Sequence, residues 1–198
     1  MKTIGYIKTT VFPLLIFLLS YSSVTADTKN SIPGATLLDI INTGLSTGGL
    51  HSHLGMSLYD NALYLTDYDD DMITKVSLTD NSVAPGYPAI LQGVSNPHGL
   101  AVDKTDGSIW VCDLNNKMIR YYSPSLDLLH SINIGTAPVN AIAHENKIYV
   151  ADRVLGKIFV VDKSTLSIEN EFEIYSYTAE NFIDLFIYSG KLYIVSNG

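Results

Sequence analysis

The 198-residue chain carries 20 acidic against 12 basic residues, a formal charge of −8, and 46% of its residues are hydrophobic. An acidic chain without basic clusters excludes nucleic acid and anionic lipid surfaces as partners. Its single cysteine, Cys112, excludes an intrachain disulfide, so core packing and sheet hydrogen bonds must hold the domain together.

The first element in chain order is a targeting segment. Lys2 and Lys8 give a positive start, Val11–Leu19 is an apolar run interrupted by Pro13, and Val24-Thr25-Ala26 fits the small-x-small rule of signal peptidase. The apolar run is shorter than the roughly 20 residues needed to span a bilayer. Residues 1–26 therefore read as a signal peptide cleaved after Ala26, 27–36 as a short linker, and 37–198 as the folded part. The expected product is soluble and secreted or extracellular (periplasmic in a bacterium), with no membrane association after cleavage.

Beyond the linker the chain repeats. Tyr64-Leu65-Thr66-Asp67, Trp110-Val111-Cys112-Asp113, Tyr149-Val150-Ala151-Asp152 and Tyr193-Ile194-Val195-Ser196 align, with their aromatics 46, 39 and 44 residues apart. Ahead of each lies an apolar strand, at 55–59, 99–103, 140–144 and 184–188, joined to it by a tight turn rich in Asn, Asp and Gly. Those residues tolerate positive φ or bond their own backbone. Third strands follow at 72–78, 118–123 and 157–162, rich in β-branched and aromatic residues. Fourth strands are expected at 89–94, 128–134 and 168–174, the last two alternating apolar and polar as outer strands with one wet face do. Thr36–Ile41 matches the outer strand at 128–133. No segment sustains a helical period.

Units of four short strands at a spacing near 40–45 residues define the expected fold: all-β, a β-propeller of four-stranded antiparallel blades. About four repeats are present. The fourth supplies two strands before Gly198, which leads to the expectation of a truncated six- or seven-bladed propeller.

Pro97–Asp103, Gly107–Asp113 and Met118–Arg120 together resemble an NHL-repeat blade. Lys147–Asp152 with Lys157–Asp162 is similar to both NHL and YVTN-type repeats. The likeness runs from about Leu37 to Gly198 and places the chain near the gluconolactonase-like superfamily. It implies the fold but not one activity, since such propellers include binding scaffolds, lactonases and lyases.

Candidate site residues follow from position. His98 opens the second inner strand, and inner strands line the central channel of a propeller. His51 and His53 precede the first. The resemblance to amidating lyases, which use channel-lining histidines, makes His53 and His98 candidate ligands of zinc. Alignment through Gly55 and Gly99, however, sets Leu54 rather than His53 opposite His98. Asp67, Asp69, Asp70 and Asp71 are candidate calcium ligands, although they lack the spacing of an EF-hand loop, and a solvated turn is the competing reading. The recurring Asp67, Asp113 and Asp152 read as structural acceptors for the following turn. Asn140 and Asp184 share the inner-strand position of Gly55 and Gly99 and are candidate ligand contacts. Cys112, inside an apolar run, reads as buried and inert. Nucleophile-elbow, P-loop, dinucleotide and paired-cysteine motifs are absent.

These features favour a secreted binding or scaffold module for an extracellular protein or glycan, with no cofactor. The alternative is a metal-dependent hydrolase or lyase, gluconolactonase-like or amidating-lyase-like.

Overall fold

The computed structural model describes residues 53–174 and 183–196. The leader, the linker, Thr36–Ile41 and His51 lie outside the described residues. Within them the chain forms fourteen strands and no helix. The first unit comprises β1 (His53–Tyr59), β2 (Ala62–Asp67), β3 (Met72–Ser77) and β4 (Ala89–Ile90). The second comprises β5 (Pro97–Val102), β6 (Ile109–Asp113), β7 (Met118–Tyr122) and β8 (Leu128–Asn133). The third comprises β9 (Pro138–His144), β10 (Lys147–Asp152), β11 (Lys157–Asp162) and β12 (Ser167–Glu173), and the fourth β13 (Ile183–Tyr188) and β14 (Lys191–Ser196).

Three units are four-stranded antiparallel sheets paired in chain order, and the fourth is a two-stranded sheet. The hairpins form where sequence permits the required backbone. Asp60-Asn61 and Ser189-Gly190 both take positive φ at each residue, the geometry of a two-residue turn whose twist matches the flanking strands.

The sheets stack face to face, β1 beside β5, β5 beside β9 and β9 beside β13. Three clusters fill the seams. Tyr64 and Ile73 meet Leu100, Ile109 and Val111 between units one and two. Trp110, Cys112 and Ile119 meet Ile148, Val150 and Phe159 between two and three. Val139, Ala151 and Ile158 meet Leu185 between three and four. Each fully buried aliphatic side chain contributes about 1.5–3 kcal/mol relative to exposure, so these seams set the blade order. Among the described residues β13 does not pack on β1 as β5 packs on β9, and the blades form an arc rather than a closed ring.

Two outer strands depart from expectation. The strand foreseen at 89–94 ends after Ile90, because the backbone turns at Leu91–Val94 with Gly93 at φ 78° and Val94 N–H bonded to Leu91 C=O. β12 shows no buried face at all. Ile132 of β8 is covered by the third blade, whereas Phe172, at the same place in β12, faces only two described strands of the fourth unit and stays exposed.

The recurring aspartates act as structural latches. Asp67, Asp113 and Asp152 are all fully buried. Asp152 Oδ1 accepts from the N–H groups of Val154 and Leu155 at 2.9 and 2.8 Å, closing the turn after β10. Its Oδ2 accepts from Thr136 and Ala137 N–H at 2.5 and 2.8 Å, fixing the segment that leads into β9. Asp113 repeats the arrangement with Ser95 N–H at 3.0 Å and Asn116 N–H at 3.4 Å, and Arg120 Nε donates to its Oδ2 at 2.7 Å. Asp67 Oδ1 takes Asp69 and Asp70 N–H at 3.1 and 3.2 Å, while Asp71 Oδ1 takes Asn96 N–H of the next unit at 2.6 Å. Two carboxylates of the acidic turn, those of Asp67 and Asp71, thus serve its own backbone and its neighbour's.

Candidate functional site

The four inner strands β1, β5, β9 and β13 run side by side and line one open cavity of about 630 Å³. Its wall is mixed: Met56, Leu100, Ala141 and Leu185 are apolar, and Ser57, Lys104, Asn140, His144 and Asp184 are polar.

Gly55, Gly99, Asn140 and Asp184 occupy one equivalent position along the four strands. Beside this level the pairing register of β1, β5 and β9 slips, a bulge in each. Bulges of this kind re-aim side chains at the rims of sheets. The two glycines are needed for close approach. A Cβ on Gly99 would lie 2.6 Å from both Asn140 Cα and Val139 O, and one on Gly55 would lie 2.5 Å from His98 O. The first three blades therefore crowd at this level, where only a hydrogen atom fits.

Asn140 and Asp184 continue the same row with polar groups. Asn140 Nδ2 donates to Asp184 Oδ1 at 2.6 Å, joining blades three and four across 44 residues of chain. Leu185 N–H donates to the same oxygen at 2.8 Å. Both residues line the cavity, and the Asp184 side of the pair is exposed. The structure thus brings together the two residues singled out as ligand contacts.

His98 sits beside this row, 5% exposed. Its Nδ1 lies 2.7 Å from Val139 O. A carbonyl oxygen only accepts, so Nδ1 carries the proton and Nε2 holds the lone pair. The edge of Tyr68 packs on the ring at 6.2 Å between centroids. Burial lowers the His98 pKa from 6.5 to about 4, with the nearby Arg153 charge acting in the same direction against the Val139 bond. The imidazole is neutral at pH 7. His98 O in turn accepts from Thr66 Oγ1 at 2.5 Å, and Thr66 Oγ1 accepts from Gly55 N–H at 2.9 Å. His53 stands opposite Asp67 in the β1–β2 register. Among the described residues no three His, Cys, Asp or Glu side chains converge as a metal-binding group.

Cys112 is fully buried between Trp110 and Asp113, and burial drives its thiol pKa far above the usual range. Sequence reasoning missed Ser57, Lys104 and His144 as cavity residues. Their signal was present in the repeat register: Ser57 and His144 lie on inner strands, and Lys104 lies in the turn that follows one.

Four-stranded blades stacked around a channel lined by their inner strands define a β-propeller arc. Residues 95–120 match the model of the NHL repeat, so the second blade carries an NHL repeat. Comparison with curated protein sequences gives no match. Solved structures of the same fold include Kuenenia stuttgartiensis hydrazine synthase, 13% identical, with TM-score 0.57 over 83% of this chain and 49% of that one. Myxococcus xanthus glutaminyl cyclase is similar at 13% identity and TM-score 0.57, over 73% of this chain and 61% of that one. A streptogramin B lyase is similar at 19% identity and TM-score 0.50, over 65% of this chain and 43% of that one. The chain thus spans about half the length of these proteins. Likeness at such identities establishes the fold alone.

Proposed function

We propose that the chain is an exported binding module that takes an extracellular protein or glycan at the channel between its inner strands. The observation that carries this reading is the Asn140–Asp184 pair. An exposed carboxylate, held through one oxygen by a side-chain amide and a backbone N–H, lines a cavity of about 630 Å³. A concave wall of mixed character with a few polar groups at fixed positions can serve as a ligand site. Carboxylate and amide side chains pair with the hydroxyl donors and acceptors of a sugar or the amides of a peptide.

Export rests on the leader read at residues 1–26. Mass spectrometry of the protein recovered outside the cytoplasm should find Asp27 at its N-terminus.

A glycan and peptide panel screened against the purified chain tests the binding reading. The expected result is a ligand whose affinity falls at least about tenfold in Asp184→Ala and in Asn140→Ala, each the loss of one ligand hydrogen bond to a charged or fixed group. Ligands that bind both variants as tightly as the parent would refute the site.

The metal-dependent hydrolase or lyase reading has one supporting observation. His98 donates Nδ1–H to a backbone carbonyl, the orientation that leaves Nε2 free and that metal-ligating histidines commonly adopt. Metal content of the purified chain separates the readings: about one tightly bound ion per chain favours the hydrolase or lyase, and a metal-free chain that still binds its ligand favours the module.

A further inference from the structure

The cavity between the inner strands carries opposite charges at its two ends. At the level of Gly99 and Asn140 the charged wall residue is Asp184. Its Oδ1 is held by two neutral donors, the Asn140 amide and the Leu185 N–H, and no cation pairs with it among the described residues. Lys104 and His144 line the other end, one just past β5 and the other closing β9. Lys147, Lys157 and Lys163 each pair with a carboxylate. Lys104 is exposed and has no such partner among the described residues.

The stretch between the poles is apolar. Leu100, Ala141, Ile142 and Leu185 form it, and the Ser57 hydroxyl beside them already accepts from Val102 N–H at 3.0 Å. Asn140 and His144 are four residues apart on β9. A strand rises about 3.3 Å per residue, so the poles stand about 13 Å apart. The charged groups belong to blades two, three and four, and both seams between those blades are closed by buried clusters.

Building on the reading of this cavity as a ligand site, we propose that its occupant is a short linear peptide of about four residues with both termini free. The terminal ammonium sits at Asp184 and the terminal carboxylate at Lys104 and His144. An extended chain spans at most about 3.3–3.6 Å per residue, so about four residues match the distance between the poles. Each inner strand is the edge of its sheet and turns a row of backbone N–H and C=O groups to the channel, partners for peptide amides. A neutral glycan of the same length fits this wall less well. It offers no charge to either pole, and it would set hydroxyls against Leu100, Ala141 and Leu185, where a hydroxyl without a partner is costly.

Isothermal titration calorimetry of the full purified chain with tetraalanine at pH 7 tests the proposal. Acetylating the amino end or amidating the carboxyl end should each weaken binding at least about tenfold, since each removes one charge-assisted contact. Asp184→Asn should lose as much with the free peptide and nothing further with the acetylated one. Lys104→Gln should behave in the same way toward the amidated peptide. An unchanged circular dichroism melt confirms that both variants fold. Tetraalanine that fails to bind at millimolar concentration, or that binds equally well with its ends blocked, overturns the peptide assignment. Neutral chitotetraose run in parallel separates that failure from failure of the site. If it binds the parent chain and is lost in Asp184→Ala, the site stands with a glycan occupant and the peptide assignment falls. If neither ligand responds to Asp184→Ala, the reading of the cavity as a ligand site falls with it.

Discussion

His98 of the second blade donates its Nδ1 proton to the carbonyl of Val139 in the third, 2.7 Å away, and this bond holds a neutral imidazole inside the seam beside the channel. The same two positions are paired by the repeat, since Val139 is the residue of blade three that stands where His98 stands in blade two. A contact between equivalent positions of neighbouring blades has a consequence for pH dependence.

The His98 pKa is about 4 in the folded chain and near 6.5 when unfolded. Between these values the unfolded chain binds a proton that the folded chain refuses, so the contribution of His98 to stability falls as pH drops from 6.5 to 4 and is constant above and below. The full window corresponds to about 3 kcal/mol. Urea unfolding at a series of pH values should show this slope. His98→Asn, which retains a donor for Val139 O, should remove it, and a slope that survives the substitution would assign it to other groups.

Asp152 should be among the most costly positions to truncate outside the hydrophobic seams. Asp152→Ala leaves the N–H groups of Thr136, Ala137, Val154 and Leu155 without their acceptor. Loss of a buried acceptor costs about 1–3 kcal/mol per stranded donor before relaxation and water entry, so about 3 kcal/mol in total is expected. Asp152→Asn keeps one acceptor oxygen and should lose less. Thermal denaturation of the two variants gives the ranking, and equal losses would argue against the latch.

Cys112 should be silent to thiol reagents in the native chain. Its side chain is 0% exposed, burial disfavours the thiolate, and the Asp113 and Asp152 carboxylates add to that. Ellman's reagent should count no thiol in the folded protein and one per chain in guanidinium. Native reactivity would mean that the second and third blades separate on the timescale of the assay.

The repeat was legible because its signals are local: an aromatic-to-aspartate strand, an Asn- or Asp-rich turn before it and a β-branched strand after it. The latch function of Asp113 and Asp152 was half visible. The bonds to the following turn are local, but those to Ser95 and Ala137 span the width of a blade. The first outer strand was misjudged because Ala89–Val94 reads as an apolar run, and only the tertiary path decides that Leu91 and Val94 turn inward and are buried. At the site, the shared register of Gly55, Gly99, Asn140 and Asp184 came from alignment alone. That Asn140 reaches Asp184, and that His98 reaches a carbonyl rather than another histidine, depends on how closely adjacent blades approach, which no single strand encodes.

That approach is itself testable at Gly99. An added methyl would sit 2.6 Å from Asn140 Cα and Val139 O, both backbone atoms that cannot swing aside, and 3.1 Å from Asn140 Oδ1. The blades must part, so Gly99→Ala should cost about 2 kcal/mol through overpacking of the seam. The displacement falls on the row that holds Asn140 against Asp184 and His98 against Val139. Gly99→Ala should therefore weaken ligand binding and also raise the His98 pKa toward its ordinary value, readable from the imidazole resonance during an NMR titration. Loss of stability with an unmoved His98 titration would show that the crowding at Gly99 and the seating of His98 are independent, and that the inner strands do not act as one rigid row.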